Sequence, residues 1–243
     1  MALSYRECVD FLLKRLQSRQ GGWVVTLNLE ILSTALIDEE YASWVRSADI
    51  VLADGMPLVW ASKLKRGVVR IDGRTTGSDI SADLIQAVAE KEIAIIGGVN
   101  PPRALEALKV EKHEEVFVFD GIVKLDDTSV NYLIEKVKAH GAKLIFVALG
   151  VPKQDYLAVA LRKAIPDALI LGVGGTFELI AGLKPRAPRW MQRYGLEWLW
   201  RLFLEPRRLW RRYLVLYWVG AINLIGDILF SRSPRDRNRA GEC

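Results

Sequence analysis

Six short apolar runs, rich in Val and Ile, recur between helix-like stretches of this 243-residue chain, and that alternation limits its fold more than any other feature. The runs occupy residues 23–28, 49–53, 93–97, 116–120, 144–149 and 169–173. Helix-like stretches between them include residues 83–91, 104–109, 129–139 and 155–164. Short, continuously apolar strands are buried on both faces, which predicts a mostly parallel sheet covered by helices on either side. In such sheets ligands bind beyond the carboxyl ends of the strands, so the residues that follow each run are the candidates for chemistry.

Charge divides the chain near Lys184. Residues 184–243 carry 13 Lys and Arg against 5 Asp and Glu, leaving 21 against 24 in residues 1–183. Five of the eight tryptophans, Trp190, Trp198, Trp200, Trp210 and Trp218, also lie in this tail. A basic, Trp-rich tail fits the interface of an anionic membrane, where both cations and aromatic rings are favoured. The expected organisation is therefore an α/β core with a Rossmann-like sheet over residues 1–183, and a helical, basic, membrane-binding C-terminal appendage over 184–243. Residues 190–204 read as one helix, which Pro206 ends while starting the next. Residues 213–230 are mostly apolar and would reach about 27 Å as a helix, borderline for crossing a bilayer. Asn223 and Asp227 interrupt them, so a helix lying on or dipping into the membrane is expected in preference to a spanning one.

Polar residues cluster at the strand ends. Thr26, Asn28 and Glu30 follow the first run, and Asp54-Gly55 the second. Gln154 and Asp155 follow the fifth, and Gly172, Gly174, Gly175 and Glu178 the sixth, with Arg74 to Asp79 lying between. Asp54 suits a general base, because a carboxylate at a strand end can take a proton from an acceptor hydroxyl. An Asp-Gly turn explains it equally simply. The Gly172–Gly175 loop can bring backbone N–H groups to a diphosphate, with Glu178 accepting from ribose hydroxyls, or it is merely a tight strand-to-helix connection. Thr26 and Gln154 offer neutral hydrogen bonds, and Arg74 a charge for a diphosphate or for an ordinary ion pair. Asp79 and Asp83 read as carboxylates near a helix start rather than as a metal pair. In the tail, Arg201, Arg208 and Arg211 can share a helical face, bind phosphate bidentately and rest their apolar neighbours in lipid. A plain amphipathic anchor is the alternative.

Absences narrow the chemistry. There is no Asp-x-Asp metal motif and no G-x-x-x-x-G-K-[ST] run, and Phe177 stands where the dinucleotide pattern needs its last glycine. His113 and His140 are the only histidines, each in a charged, surface-like stretch, which leaves zinc sites and histidine triads without support. No metal and no cofactor is expected. Cys8 and Cys243 stand at opposite ends, as fits a reducing cytoplasm, and the first residues lack the apolar stretch of a secretory signal. The basic tail raises nucleic acid as a partner, but its continuous apolar sequence suits lipid better than a phosphate groove.

Taken together, these motifs resemble the WecG/TagA/CpsF glycosyltransferase family over nearly the whole chain. The resemblance is carried by Thr26-x-Asn28, Ala53-Asp54-Gly55, Arg74-x-Thr76-Gly77-x-Asp79, Gly150-x-Pro152-Lys153-Gln154 and Gly172-Val-Gly174-Gly175-x-Phe177. It continues through the run from Arg186 to Arg201 and through Glu205-Pro206-x-Arg208-x-x-Arg211-x-Tyr213. The resemblance implies an inverting, metal-independent transfer of an N-acetylmannosamine-type sugar. The donor would be a UDP-sugar and the acceptor N-acetylglucosamine on undecaprenyl diphosphate, at the cytoplasmic face of the cell membrane. The product would feed teichoic acid or another surface polysaccharide. It further implies Asp54 as catalytic base, with Thr26, Arg74 and Gln154 lining the active site. Arg201, Arg208 and Arg211 would sit on an appendage that closes over the pocket, and self-association of soluble protein would be linked to membrane docking. Two features depart from the family pattern: the stretch from Asp54 to Arg74 is slightly long, and residues 213–230 form a longer, more apolar extension. Transfer of another hexose, and a non-catalytic lipid-binding module, are the competing readings.

Overall fold

A computed structural model describes residues 3–65, 68–211, 213 and 216–230; Cys243 and the rest of the tail beyond 230 lie outside the described residues. The chain runs α1 (Tyr5–Gln17), β1 (Gly22–Leu27), α2 (Leu29–Ile37), α3 (Glu39–Arg46), β2 (Ile50–Ala53), α4 (Met56–Leu64), α5 (Gly77–Ala87) and β3 (Ile93–Gly97). It continues with α6 (Pro101–Ala107), β4 (Phe117–Phe119), α7 (Asp127–His140), β5 (Leu144–Ala148), α8 (Lys153–Ala164), β6 (Leu169–Gly172) and α9 (Thr176–Ile180). The tail holds α10 (Arg189–Arg193), α11 (Glu197–Leu204), α12 (Pro206–Arg211) and α13 (Tyr217–Phe230).

The six strands form one sheet of order β2-β1-β6-β5-β3-β4, and every neighbouring pair is parallel. All six expected runs are strands. Their side chains alternate between two cores, as the period of two demands. Val24, Ile93, Ile95, Leu144, Phe146, Leu169 and Leu171 point to the face covered by α1, α5, α6 and α9. Trp23, Val25, Ala94, Ile96, Ile145, Val147 and Ile170 point to the face covered by α2, α3, α7 and α8. Burial on both faces is why the strands read as unbroken apolar runs rather than as alternating ones.

This two-sided covering also opens the site. After β1 the chain turns into α2, which drops Ile31 onto one face, and after the neighbouring β6 it turns into α9, which drops Phe177 onto the other. Adjacent strands whose chains leave in opposite directions part at their carboxyl ends, and a crevice forms there. α5 starts six residues earlier than expected. Thr76 accepts a hydrogen bond from Asp79 N at 3.2 Å and caps the helix at Gly77, which places Asp79 in its first turn.

The tail is folded onto the core. Residues 190–204, expected as one helix, are two, because Gly195 sits at φ +67° between α10 and α11. A Cβ on Gly195 would lie 2.6 Å from Met56 Cβ, so glycine here provides both the left-handed turn and the close approach to α4. Pro206 opens α12 as expected. α13 lies along α2 and α4: Gly220 N donates to Ser33 Oγ at 3.0 Å, and Lys65 pairs with Asp227. Of the 213–230 stretch, residues 214 and 215 lie outside the described residues. The 14 residues of α13 span about 21 Å. No helix among the described residues is long and apolar enough to cross a membrane.

Candidate active site

The crevice is a cavity of about 340 Å³ at the carboxyl ends of β1, β2, β5 and β6. The core forms its floor and the tail its roof, the latter through Arg186, Glu197, Trp198, Trp200, Arg201, Glu205, Arg208, Tyr213 and Tyr217. Sites of this size with a few convergent polar groups are typical of small-molecule binding.

Asp54 stands at the end of β2, on the cavity wall. Its own N–H donates to Leu27 O at 2.7 Å, which fixes its backbone to the neighbouring strand. Gly77 N, at the start of α5, donates to its Oδ2 at 3.4 Å. Burial pushes the carboxyl up from 3.8 to about 6; the Gly77 N–H, Arg201 and Arg74 pull it down, while Glu197 raises it further. Arg74 is returned to the cavity despite the long stretch before it. α4 takes up nine residues of that stretch, and Thr75 N then donates to Ala53 O at 2.8 Å, stapling the loop beside β2. Arg74 pairs with Glu197 of the tail at 2.7 Å, and both side chains are largely enclosed.

Thr26, Asn28 and Gln154 all line the cavity, and each is also braced by the protein. Thr26 Oγ1 donates to Gly172 O at 2.9 Å, tying β1 to β6. Asn28 Oδ1 accepts from Glu30 N and Ile31 N and caps α2. Gln154 Oε1 accepts from Gly174 N at 2.9 Å, which orients its amide. Behind Gln154, Asp155 accepts a 2.7 Å hydrogen bond from the buried Tyr41 hydroxyl. Burial pushes the Asp155 carboxyl up to about 6, countered by the hydrogen bonds from Tyr41 and Gln154.

The folded protein therefore binds a proton at Asp155 more tightly than the unfolded chain does. Stability from this group is complete near pH 4 and is lost as pH rises through about 6. Asp155→Asn keeps an acceptor for Tyr41 and removes the buried charge. Urea melts are expected to show a gain of about 1–3 kcal/mol at pH 7.5 that vanishes near pH 4. A mutant destabilised at pH 7.5 would show that the charge is compensated.

Gly174, Gly175, Glu178, Arg201 and Arg208 also reach the cavity, whereas Gly172 and Arg211 do not. Gly172 lies behind Gln154, whose Nε2 a Cβ there would meet at 3.1 Å, so it supports the wall without forming it. Arg211 is exposed and stacks over the ring of its neighbour Trp210 at 5.3 Å. On α12, which starts afresh at Pro206, Arg208 borders the cavity and Arg211 does not. His140 also departs from its surface-like reading, since its ring packs against Phe117 and its Nε2 is buried without a hydrogen-bond partner.

Four cavity residues carry no role in the sequence reading, Lys184, Arg186, Glu197 and Glu205, and neither does Gln192, which reaches Arg74 from the tail. Lys184 pairs with Glu178 and with Glu205, the latter at 2.8 Å, and Glu205 also pairs with Arg208. Arg186 grips Asp79 at 2.6 and 2.9 Å. Lys184, Arg186, Arg201 and Arg208, the tail cations that line the cavity, thus each meet a carboxylate, so the cavity carries alternating charge. Among the described residues no three His, Cys, Asp or Glu side chains converge as a metal site. The model of the family described as "Glycosyl transferase WecG/TagA/CpsF family" matches residues 1–234 of this chain.

Proposed function

This chain belongs to the WecG/TagA/CpsF glycosyltransferase family, and on that premise we propose that it moves an N-acetylmannosamine-type sugar from a UDP-sugar to N-acetylglucosamine on undecaprenyl diphosphate. The observation that carries this reading is Asp54: a carboxylate raised to about 6, on the wall of a cavity whose roof holds arginines, their carboxylate partners and aromatic rings. A base with a pKa just below neutral is ionised at working pH yet basic enough to take a proton as a bond forms. In the proposed step, the acceptor hydroxyl gives its proton to Asp54 and its oxygen attacks the anomeric carbon. The bond from that carbon to the diphosphate breaks, UDP leaves with the electron pair, and the anomeric centre inverts. Arg74, Arg186, Arg201 and Arg208 supply positive charge where the leaving diphosphate gains negative charge. Thr26 and Gln154, already held by their own hydrogen bonds, present fixed polar edges to the sugar or base.

The tail supports a membrane surface as the place of reaction. Tyr194, Phe203, Trp218, Ile222 and Leu229 are exposed in a tail that also carries the arginines of α10 to α12, a pattern suited to interfacial binding on anionic lipid. A lipid diphosphate would enter where this apolar face meets the cavity, at the cytoplasmic face of the cell membrane, with the enzyme attached peripherally or through its C-terminal region.

The test is a screen of UDP-sugars with a short-chain N-acetylglucosaminyl diphosphate lipid, read by mass spectrometry for both products. UDP release is expected from a UDP-N-acetylhexosamine, only with acceptor present, and at an undiminished rate in EDTA. Lipid binding with no sugar transfer from any donor would replace this reading with a lipid-binding module. Loss of turnover in EDTA, restored by a divalent cation, would contradict the metal-independent step.

A further inference from the structure

Arg74 is held from the tail at both terminal nitrogens. Nη1 donates to Glu197 Oε2 at 2.7 Å and Nη2 to Gln192 Oε1 at 3.3 Å. The Gln192 amide is itself fixed, because its Nε2 donates to Ala187 O at 2.7 Å. The second oxygen of Glu197 lies 3.6 Å from Arg201 Nη2. One carboxylate thus stands between two guanidiniums, one stapled to the end of β2 and one on α11. An ordinary surface pair would be open to water, but Arg74 and Glu197 are only 17% and 14% exposed and join segments 123 residues apart. Screening by solvent and salt is correspondingly weaker.

We propose that Glu197 is a positioning residue for the transfer, gripping Arg74 from the tail so that the guanidinium is set beside Asp54 only when the tail is docked. This rests on the reading of Asp54 as the base. Glu197 touches neither Asp54 nor any reacting atom in this arrangement; it acts through Arg74 and through its own field. The charged groups that face Asp54 are Arg74 from the core and Arg186, Glu197 and Arg201 from the tail. Glu197 is the anion in that set, and it raises the proton affinity of Asp54 while the cations lower it. Removing its charge therefore moves the titration of Asp54 to lower pH. A link between tail and core that did not face Asp54 would leave that titration where it is.

The experiment compares wild type, Glu197→Gln and Glu197→Asp in the full chain. In Glu197→Gln, turnover is expected to fall about ten- to a hundredfold, the cost of a misplaced active-site group. The acid limb of kcat/KM is expected to move down by about half a unit to one unit as the neighbouring negative charge is lost. Glu197→Asp keeps the charge but shortens the reach, so turnover falls while the limb stays. An acid limb that is unmoved in Glu197→Gln, at any level of turnover, overturns the proposal. A second readout does not depend on transfer: in protein labelled at its aspartate carboxyl carbons, with Asp54 assigned through Asp54→Asn, the NMR titration should shift in the same direction. If wild type transfers no sugar, the proposed function fails, and the titration still decides whether Glu197 governs Asp54.

Discussion

Asp54→Asn is expected to lower acceptor-dependent turnover by about 10²–10⁴-fold, the usual contribution of a general base. The same change is expected to raise stability. Because the folded protein holds its proton to about pH 6 while the unfolded chain releases it near 3.8, ionised Asp54 costs stability above that window. The asparagine removes this cost, worth about 1–3 kcal/mol after allowing for the side chain's contact with the cavity. The gain is full at pH 7–8 and disappears as pH falls from about 6 to about 4. Opposite signs for activity and stability are characteristic of a residue kept for chemistry. A mutant that is both less active and less stable would instead assign Asp54 to the packing of β2. Urea melts at two pH values, beside initial rates of UDP release, separate the two outcomes.

Gly195→Val is expected to have the second-largest effect, through the docking of the tail. A β-branched residue at φ +67° costs roughly 1–2 kcal/mol. Its Cβ would also lie 2.6 Å from Met56 Cβ, against the first turn of α4, which adds roughly 1–3 kcal/mol of overpacking. The core needs neither contact, so strain of this size is relieved most directly by lifting α10 and α11. Lifting them removes Glu197 from Arg74 and Arg201 from the cavity. Turnover should fall by about a hundredfold, as for other misplaced catalytic assemblies. Limited proteolysis should cut within residues 189–205 while the α/β core survives. Wild-type turnover with an unchanged cleavage pattern would show that the tail does not act from this position.

The α/β core was legible because its strands are buried on both faces, and two-sided burial writes itself into the sequence as unbroken apolar runs. The strand-end rule then pointed to Thr26, Asp54 and Gln154, which the fold brings to one cavity. What stayed hidden depends on contacts across long stretches of chain. Residues 190–204 carry a continuous helical pattern, and only the approach of Met56 explains why Gly195 breaks it. Arg186 and Lys184 were legible as positive charge, but their carboxylate partners Asp79 and Glu205 leave no spacing signature. The Tyr41–Asp155 hydrogen bond, between residues 114 positions apart, was silent for the same reason. Glu197 stood within a quoted motif yet showed no role, because its role depends on Arg74 being folded back beside it. Arg211 does not share the cavity with Arg201 and Arg208, because helical spacing continues across Pro206 in sequence while α11 and α12 are separate helices.

The pH dependence of kcat/KM for acceptor-dependent UDP release tests the central claim most directly, since it reports the ionisation of the free enzyme's base. The account predicts a rate that is level above neutrality and falls about tenfold per pH unit below about 6, the value to which burial raises Asp54. A rate that stays level down to pH 5 would contradict it.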